Sequence, residues 1–266
     1  MARTDALASA IMAAGTLVSR VLGLVRTVLI TVAIGSLSTV GDVFEVANTL
    51  PNLIYVLVAG GAFNAVLVPQ IIKAAKAQDG GALYISKLVT LTVTAIGLIT
   101  VIMVACAWPI IDVMGSTWTP EQKQLGVIFS LWCLPQIFFY GLYTVIGQVL
   151  NAKDAFGAYM WSPALNNVIS IIGLLVFIVM FGAQNTTINP PLHSVENWTS
   201  AQTVVLAGTT TLGIAMQALV LFIPYAAWGC ICAPISGGAA LDYVNPLNSP
   251  LGRLQRALWL TFPSCT

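Results

Sequence analysis

The chain has 266 residues, 58% of them hydrophobic and only 7% charged, with a mean hydropathy of +0.91. A soluble domain carries about 25% charged residues, so this composition excludes a soluble globular fold and implies a polytopic membrane protein. The formal net charge of +1 offers no bulk attraction to nucleic acid or to other acidic partners.

Six spans are predicted, each longer than the roughly 20 residues that a bilayer crossing takes. The first, about Leu7–Ile34, is apolar except for Arg20 and Arg26. It is too long for a cleavable signal peptide, lacks a small-residue cleavage site with polar flanks, and continues into more spans. A charge at that depth costs about 2.5–3.5 kcal/mol on insertion scales, so two arginines on one helix ask for a compensating anion. They sit six residues apart, about 9 Å along a helix and about 120° around it, so they share no face, yet their long arms can converge on one cavity. Gly23 between them thins the helix and admits a ligand. One candidate anion is the pair Asp42 and Glu45 on the second span, which share a face at i, i+3. The other is a bound ligand. Arg26 is nearer the carboxylates, whereas Arg20 has no partner in the hairpin, which favours a ligand or a water-filled cavity there. A planar guanidinium suits phosphate or pyrophosphate, because it donates paired hydrogen bonds and stays charged.

The second span, about Val43–Ile72, is interrupted by Pro51, Gly60, Gly61 and Pro69. Broken spans survive only where they line a cavity or are buried in protein, and in transporters they mark moving or binding elements. Pro51, Gly60 and Gly61 therefore join Asp42 and Glu45 as candidates for gating or ion pairing, with a static kink as the alternative.

The third span, about Leu88–Ile111, has Pro109 near its end; the fourth, about Leu125–Leu150, has Pro135 inside it. The fifth, about Met160–Phe181, has Pro163 in its first turn, and the sixth is about Val204–Trp228. Polar residues within the spans (Gln136, Tyr140, Gln148, Asn166, Asn167 and Gln217) are assigned to interhelical packing. With a cytoplasmic N-terminus, the inside segments hold Arg3, Lys73, Lys76, Lys87, Lys153, Arg253 and Arg256, and the outside segments hold only Lys123. That bias sets the orientation. The loop of about Gly182–Thr203 then falls outside and contains the only histidine, His193, expected to be solvated. Asn185 and Asn197 occupy N-x-T sequons, which matter only in a glycosylating compartment.

The chain divides into a six-helix lobe, 1–228, and a divergent tail, 229–266, which reads neither as a seventh span nor as an ordered domain. Cys106 and Cys133 lie in apolar runs as small core residues. Cys230 and Cys232 form a lone CxC with no second pair or nearby histidine, so no metal site, no cofactor and no disulfide framework is expected. No catalytic constellation is present, so the chain is not read as an enzyme.

At these residues the chain resembles the MurJ/MviN family of lipid II flippases, most of all its actinobacterial branch. The resemblance rests on Ser19 to Arg26, Asp42 to Asn52 with its Asn-x-Leu-Pro-Asn core, Gly61-Ala-Phe63 and Val68-Pro69. It continues through Gly147 to Ala152 with Phe156, Trp161 to Asn167, and Leu212-Gly213 with Gln217, and so covers about residues 10–225. It implies an all-α fold of two lobes around a central cavity, in the superfamily that also contains the MATE exporters, with this chain holding one lobe. It also implies a plasma-membrane protein that moves an undecaprenyl-pyrophosphate-linked muropeptide for peptidoglycan synthesis, with Arg20, Arg26 and Asp42 serving the pyrophosphate and gating. The chain departs from the family where Tyr55 and Val56 replace an Arg-Arg pair, Gly60 replaces a glutamate, and Thr27 replaces an aspartate. Beyond Tyr225 the likeness stops, and a change of reading frame near residue 226 would account for the shift.

Three functions compete. The first is a flippase for lipid II, for which a missing second lobe or a homo-oligomer would complete the cavity. The second is an ion-coupled MATE-like exporter, which needs a buried carboxylate. The third is an inactive fragment or membrane scaffold.

Overall fold

The computed structural model describes the backbone of residues 2–35, 38–75, 82–152, 156–184 and 193–227. Within these, side chains are described for 13–35, 38–57, 87–151, 157–184 and 193–225. The regular elements among them are all helical. In chain order they are α1 (Ala2–Ile34), α2 (Thr39–Ala75), α3 (Ala82–Ala105), α4 (Ala107–Met114), α5 (Pro120–Cys133), α6 (Gln136–Ala152) and α7 (Phe156–Phe181). Then follow α8 (Ser200–Thr203), a π turn (Val204–Gly208), α9 (Thr209–Leu219) and α10 (Phe222–Ala227). Among the described residues five stretches are long and apolar enough to cross a membrane: Ala13–Ile34, Lys87–Ala105, Pro120–Asn151, Gly157–Phe181 and Ser200–Tyr225. The 37-residue α2 covers the second predicted span. The predicted tail, 229–266, with Cys230, Cys232 and Cys265, lies outside the described residues, as do Lys76, Lys153 and Asn185.

Three of the predicted interruptions take a different form from the expectation. α2 is a continuous helix through Pro51, Gly60 and Gly61. Pro51 is buried, and its missing N–H costs one bond that the long helix on either side survives. The surroundings of Gly60 and Gly61 lie outside the described side chains. The third span is cut in two earlier than its proline, because Pro109 cannot donate to the Ala105 carbonyl and α3 ends at Ala105. Pro163 stands well inside α7, which begins at Phe156. The carbonyl that Pro163 leaves open belongs to Tyr159. It accepts from the Ser162 hydroxyl at 3.1 Å and from the Tyr143 hydroxyl at 3.4 Å.

α1 and α7 both end on a glycine with positive φ, Gly35 at 81° and Gly182 at 82°. A left-handed residue that closes a helix favours glycine, which has no Cβ to clash. The two ends are stitched together where the Gln184 N–H donates to the Val32 carbonyl at 3.0 Å. Beneath them lies an apolar cluster that includes Ala33, Ile34, Val43, Phe44, Phe129, Cys133, Leu174, Phe177 and Leu206, drawn from α1, α2, α5, α7 and the π turn. It seals this end of the bundle. A second cluster, centred on Ile96, Leu142, Ile146, Val149, Ala218 and Leu221, joins α3, α6 and α9. α1 packs along α7 and makes little contact with α2.

His193 is buried, not solvated, with 2% of its surface exposed. Its Nε2 lies 3.1 Å from the Gly182 carbonyl, and its Nδ1 lies 3.0 Å from Gln202 Nε2. The Gln202 Oε1 in turn accepts from the Thr199 N–H at 2.7 Å, within a capping box that starts α8. A carbonyl only accepts, so Nε2 carries the proton and Nδ1 accepts from the Gln202 amide. Phe177 and Trp198 meet the imidazole edge to face at 5.3 and 6.1 Å. His193→Ala strands the Gln202 amide and the Gly182 carbonyl, at about 1–3 kcal/mol. For a chain of this size that is a fall of roughly 3–10 °C in thermal midpoint in detergent, whereas Glu196→Ala at the exposed neighbour should shift it by about 1 °C or less. Equal shifts would contradict the buried clamp.

Candidate functional site

Arg20 and Arg26 lie about 21 Å and about 12 Å along α1 from Ile34, at depths where hydrocarbon would surround an unpacked helix. α1 carries three stripes. Gly15, Ser19 and Gly23 face α7, where the Asn167 amide donates to the Ser19 carbonyl at 2.8 Å and lies 3.3 Å from its hydroxyl. Exposed Leu17, Val21, Leu24 and Val28 form the apolar side. Between the two run Arg20, Thr27 and Thr31, with the threonine hydroxyls turned back onto the Gly23 and Thr27 carbonyls. Arg20 is exposed and Arg26 is half-buried.

Arg26 lies within electrostatic reach of Tyr140 on α6 and of Cys133 at the end of α5. It forms no ion pair with Asp42 or Glu45, and nor does Arg20: the one ion pair within 4.0 Å among the described residues is Lys123 with Asp112, at 2.6 Å. Both predicted partner carboxylates are exposed near the start of α2, so neither supplies the buried charge that an ion-coupled exporter requires. Among the described residues no His, Cys, Asp or Glu group of metal-binding size occurs.

Pro135 makes the junction between α5 and α6. α5 ends at Cys133 and α6 begins at Gln136, which leaves carbonyls at the end of α5 without helical donors. One of them, Trp132, accepts from the Thr211 hydroxyl of α9 at 2.7 Å, and Thr211 accepts from the Gln136 amide at 2.9 Å. Gln136 thus serves packing, as predicted, by tying the break in the fourth span to the sixth.

Sequence reasoning missed the contact between α2 and α6. Tyr55, where the family pattern has an arginine, brings its hydroxyl to 2.5 Å from Thr144 Oγ1, and its ring lies 5.7 Å from that of Tyr140. The available signal was the i, i+4 spacing of Tyr140 and Thr144, which places both on one face of α6. Two helices therefore meet at this point: α2 through Tyr55, and α6 through Tyr140 and Thr144.

The fold is that of a polytopic helical transporter lobe. A solved structure of a lipid II flippase, MurJ, in an inward closed conformation superposes with a TM-score of 0.59 at 19% identity, over 95% of this chain and 46% of that one. The family model for the lipid II flippase MurJ matches residues 13–241, so the match runs on past Tyr225, where the likeness was expected to stop. The chain belongs to that family. A probable lipid II flippase from Synechocystis is 29% identical over 82% of this chain and 39% of its own length. The lipid II flippase of Burkholderia cenocepacia is 33% identical over 61% of this chain and 32% of its own length. The chain thus spans about two fifths or less of these curated relatives.

The Pro135 junction gives a direct test of the packing role. Thr211→Val leaves the Trp132 carbonyl and the Gln136 amide without a partner. Interhelical hydrogen bonds average about 0.6 kcal/mol in membranes, and the stranded groups should raise the cost to about 1–2 kcal/mol. Equilibrium unfolding in mixed micelles measures it, and an unchanged stability would count against the tie.

Proposed function

We propose that this chain forms one lobe of a flippase that moves lipid II, a pyrophosphate-linked muropeptide on a polyprenyl lipid, across the bacterial plasma membrane. The observation that carries the reading is Arg26: a half-buried guanidinium with no carboxylate partner among the described residues. A cation so placed calls for an anion, and the relatives' names identify one that arrives with the substrate. Arg26 binds the pyrophosphate, and exposed Arg20 about one and two-thirds turns away gathers it. The Asp42 and Glu45 pair together with Pro51, Gly60 and Gly61 serves gating of α2. No covalent step is involved, so the chain acts as a carrier and not as an enzyme. A second bundle, from another lobe or another copy, would close the side of α1 that α7 leaves open.

Two tests follow. In a version of the protein that supports growth of a flippase-depleted strain, Arg26→Ala and Arg20→Ala should each abolish rescue. The lysine variants should restore it only weakly, because an ammonium keeps charge but loses the paired geometry. Normal growth with either alanine variant would remove that arginine from the substrate site. For orientation, the excess of Lys and Arg in alternate loops supports a cytoplasmic N-terminus. Pro190→Cys should then react with an impermeant thiol reagent in intact cells and Gln78→Cys should not; labelling of both would sink the topology.

A further inference from the structure

Resting on the reading of Arg20 given above, we propose that Asn167 of α7 is a positioning residue of the anion site. It sets the rotation of α1 about its own axis, and so the direction in which Arg20 leaves the helix. The argument begins with what holds α1. The helix packs along α7 and makes little contact with α2. Hydrogen bonds from the α7 side tie it at two depths. Near its end, the Gln184 N–H donates to the Val32 carbonyl at 3.0 Å. About 20 Å back along the axis, the Asn167 amide donates to the Ser19 carbonyl at 2.8 Å and lies 3.3 Å from the Ser19 hydroxyl.

The tie at Ser19 is made to the backbone, and that decides what it does. A helical carbonyl has two lone pairs and spends one on the N–H four residues on, here that of Gly23. Asn167 takes the other. Its Nδ2 sits 3.8 Å from where a Cβ on Gly23 would lie, so the side of α1 that Gly23 leaves bare is filled by this amide. A side-chain hydroxyl could follow its partner while the helix turned beneath it; a carbonyl moves only with the helix. Gly15, one turn before Ser19, lies so close to the Trp161 indole that a Cβ there would be 3.0 Å from Nε1. The stripe of Gly15, Ser19 and Gly23 therefore rests on α7 turn by turn. Arg20 follows Ser19 directly, about 100° further round, and is exposed. A rotation of α1 by about 30° would carry an atom at the outer radius of the helix by about 3 Å. A binding group has to be held to within about 0.5 Å. Asn167 thus acts on the ligand only through Arg20.

The test uses the full 266-residue chain in lipid nanodiscs, with binding of radiolabelled farnesyl diphosphate followed by equilibrium dialysis. Asn167→Leu keeps the size of the side chain and removes its donors; Asn167→Ala removes the amide without adding bulk. Each should weaken binding by about three- to tenfold when Arg20 is present. In the Arg20→Lys background binding is weaker but measurable, and an ammonium bonds without a fixed direction, so the same substitutions should cost less than about twofold. A residue that merely holds the bundle together would lower affinity by the same factor in both backgrounds, and that result overturns the proposal. Wild-type affinity in both Asn167 variants, alongside weakened binding in Arg20→Ala, also overturns it and leaves the anion site standing. Unchanged binding in Arg20→Ala, or no binding of the probe by the unsubstituted chain, removes Arg20 from the site and the positioning role with it.

Discussion

Hydrocarbon offers a peptide carbonyl nothing to bond to, and the helices of this chain are shaped by that fact wherever a proline interrupts them. At Pro163 the orphaned Tyr159 carbonyl is taken up by Ser162 and Tyr143. At Pro135 the Trp132 carbonyl is taken up by Thr211, which Gln136 also engages. At the closed end the Gly182 carbonyl is taken up by His193. The Tyr143 and Thr211 bonds each join two helices, so these two breaks become points at which the bundle is pinned together.

The same rule applied to charge sets the character of the site. Lys123 and Asp112 neutralise each other away from the bundle interior. Arg26 has no such partner among the described residues and lies within electrostatic reach of Cys133 and Tyr140, on either side of Pro135. An uncompensated guanidinium is a standing cost, and a binding protein recovers it when an anion enters.

Hydropathy alone located the spans, because a crossing needs a long apolar run and little else competes with that signal. Arg20 and Arg26 stood out for the same reason, as charges inside such a run. Local chemistry was less legible. Pro51 and the Gly60–Gly61 pair read as a break, yet α2 runs through all of them, since one missing hydrogen bond is small against a 37-residue helix. His193 read as a solvated loop residue because its partners, Gly182, Gln202 and Phe177, come together only in three dimensions. The pairing of Tyr55 with Thr144 spans 89 residues, and the local spacing of Tyr140 and Thr144 marks only a shared face of α6, not the helix that meets it.

A double-mutant cycle between Arg26 and Cys133 tests most directly whether the guanidinium lacks an anion. Cys133 is fully buried and within electrostatic reach of Arg26. Cys133→Asp would place a carboxylate there, and its effect on unfolding free energy is compared with and without Arg26→Leu. If Arg26 is unpaired, the two should couple favourably by about 1–3 kcal/mol, with the new carboxylate tolerated beside Arg26 and strongly destabilising without it. A carboxylate equally destabilising in both backgrounds would mean that Arg26 is already satisfied, and would contradict the account.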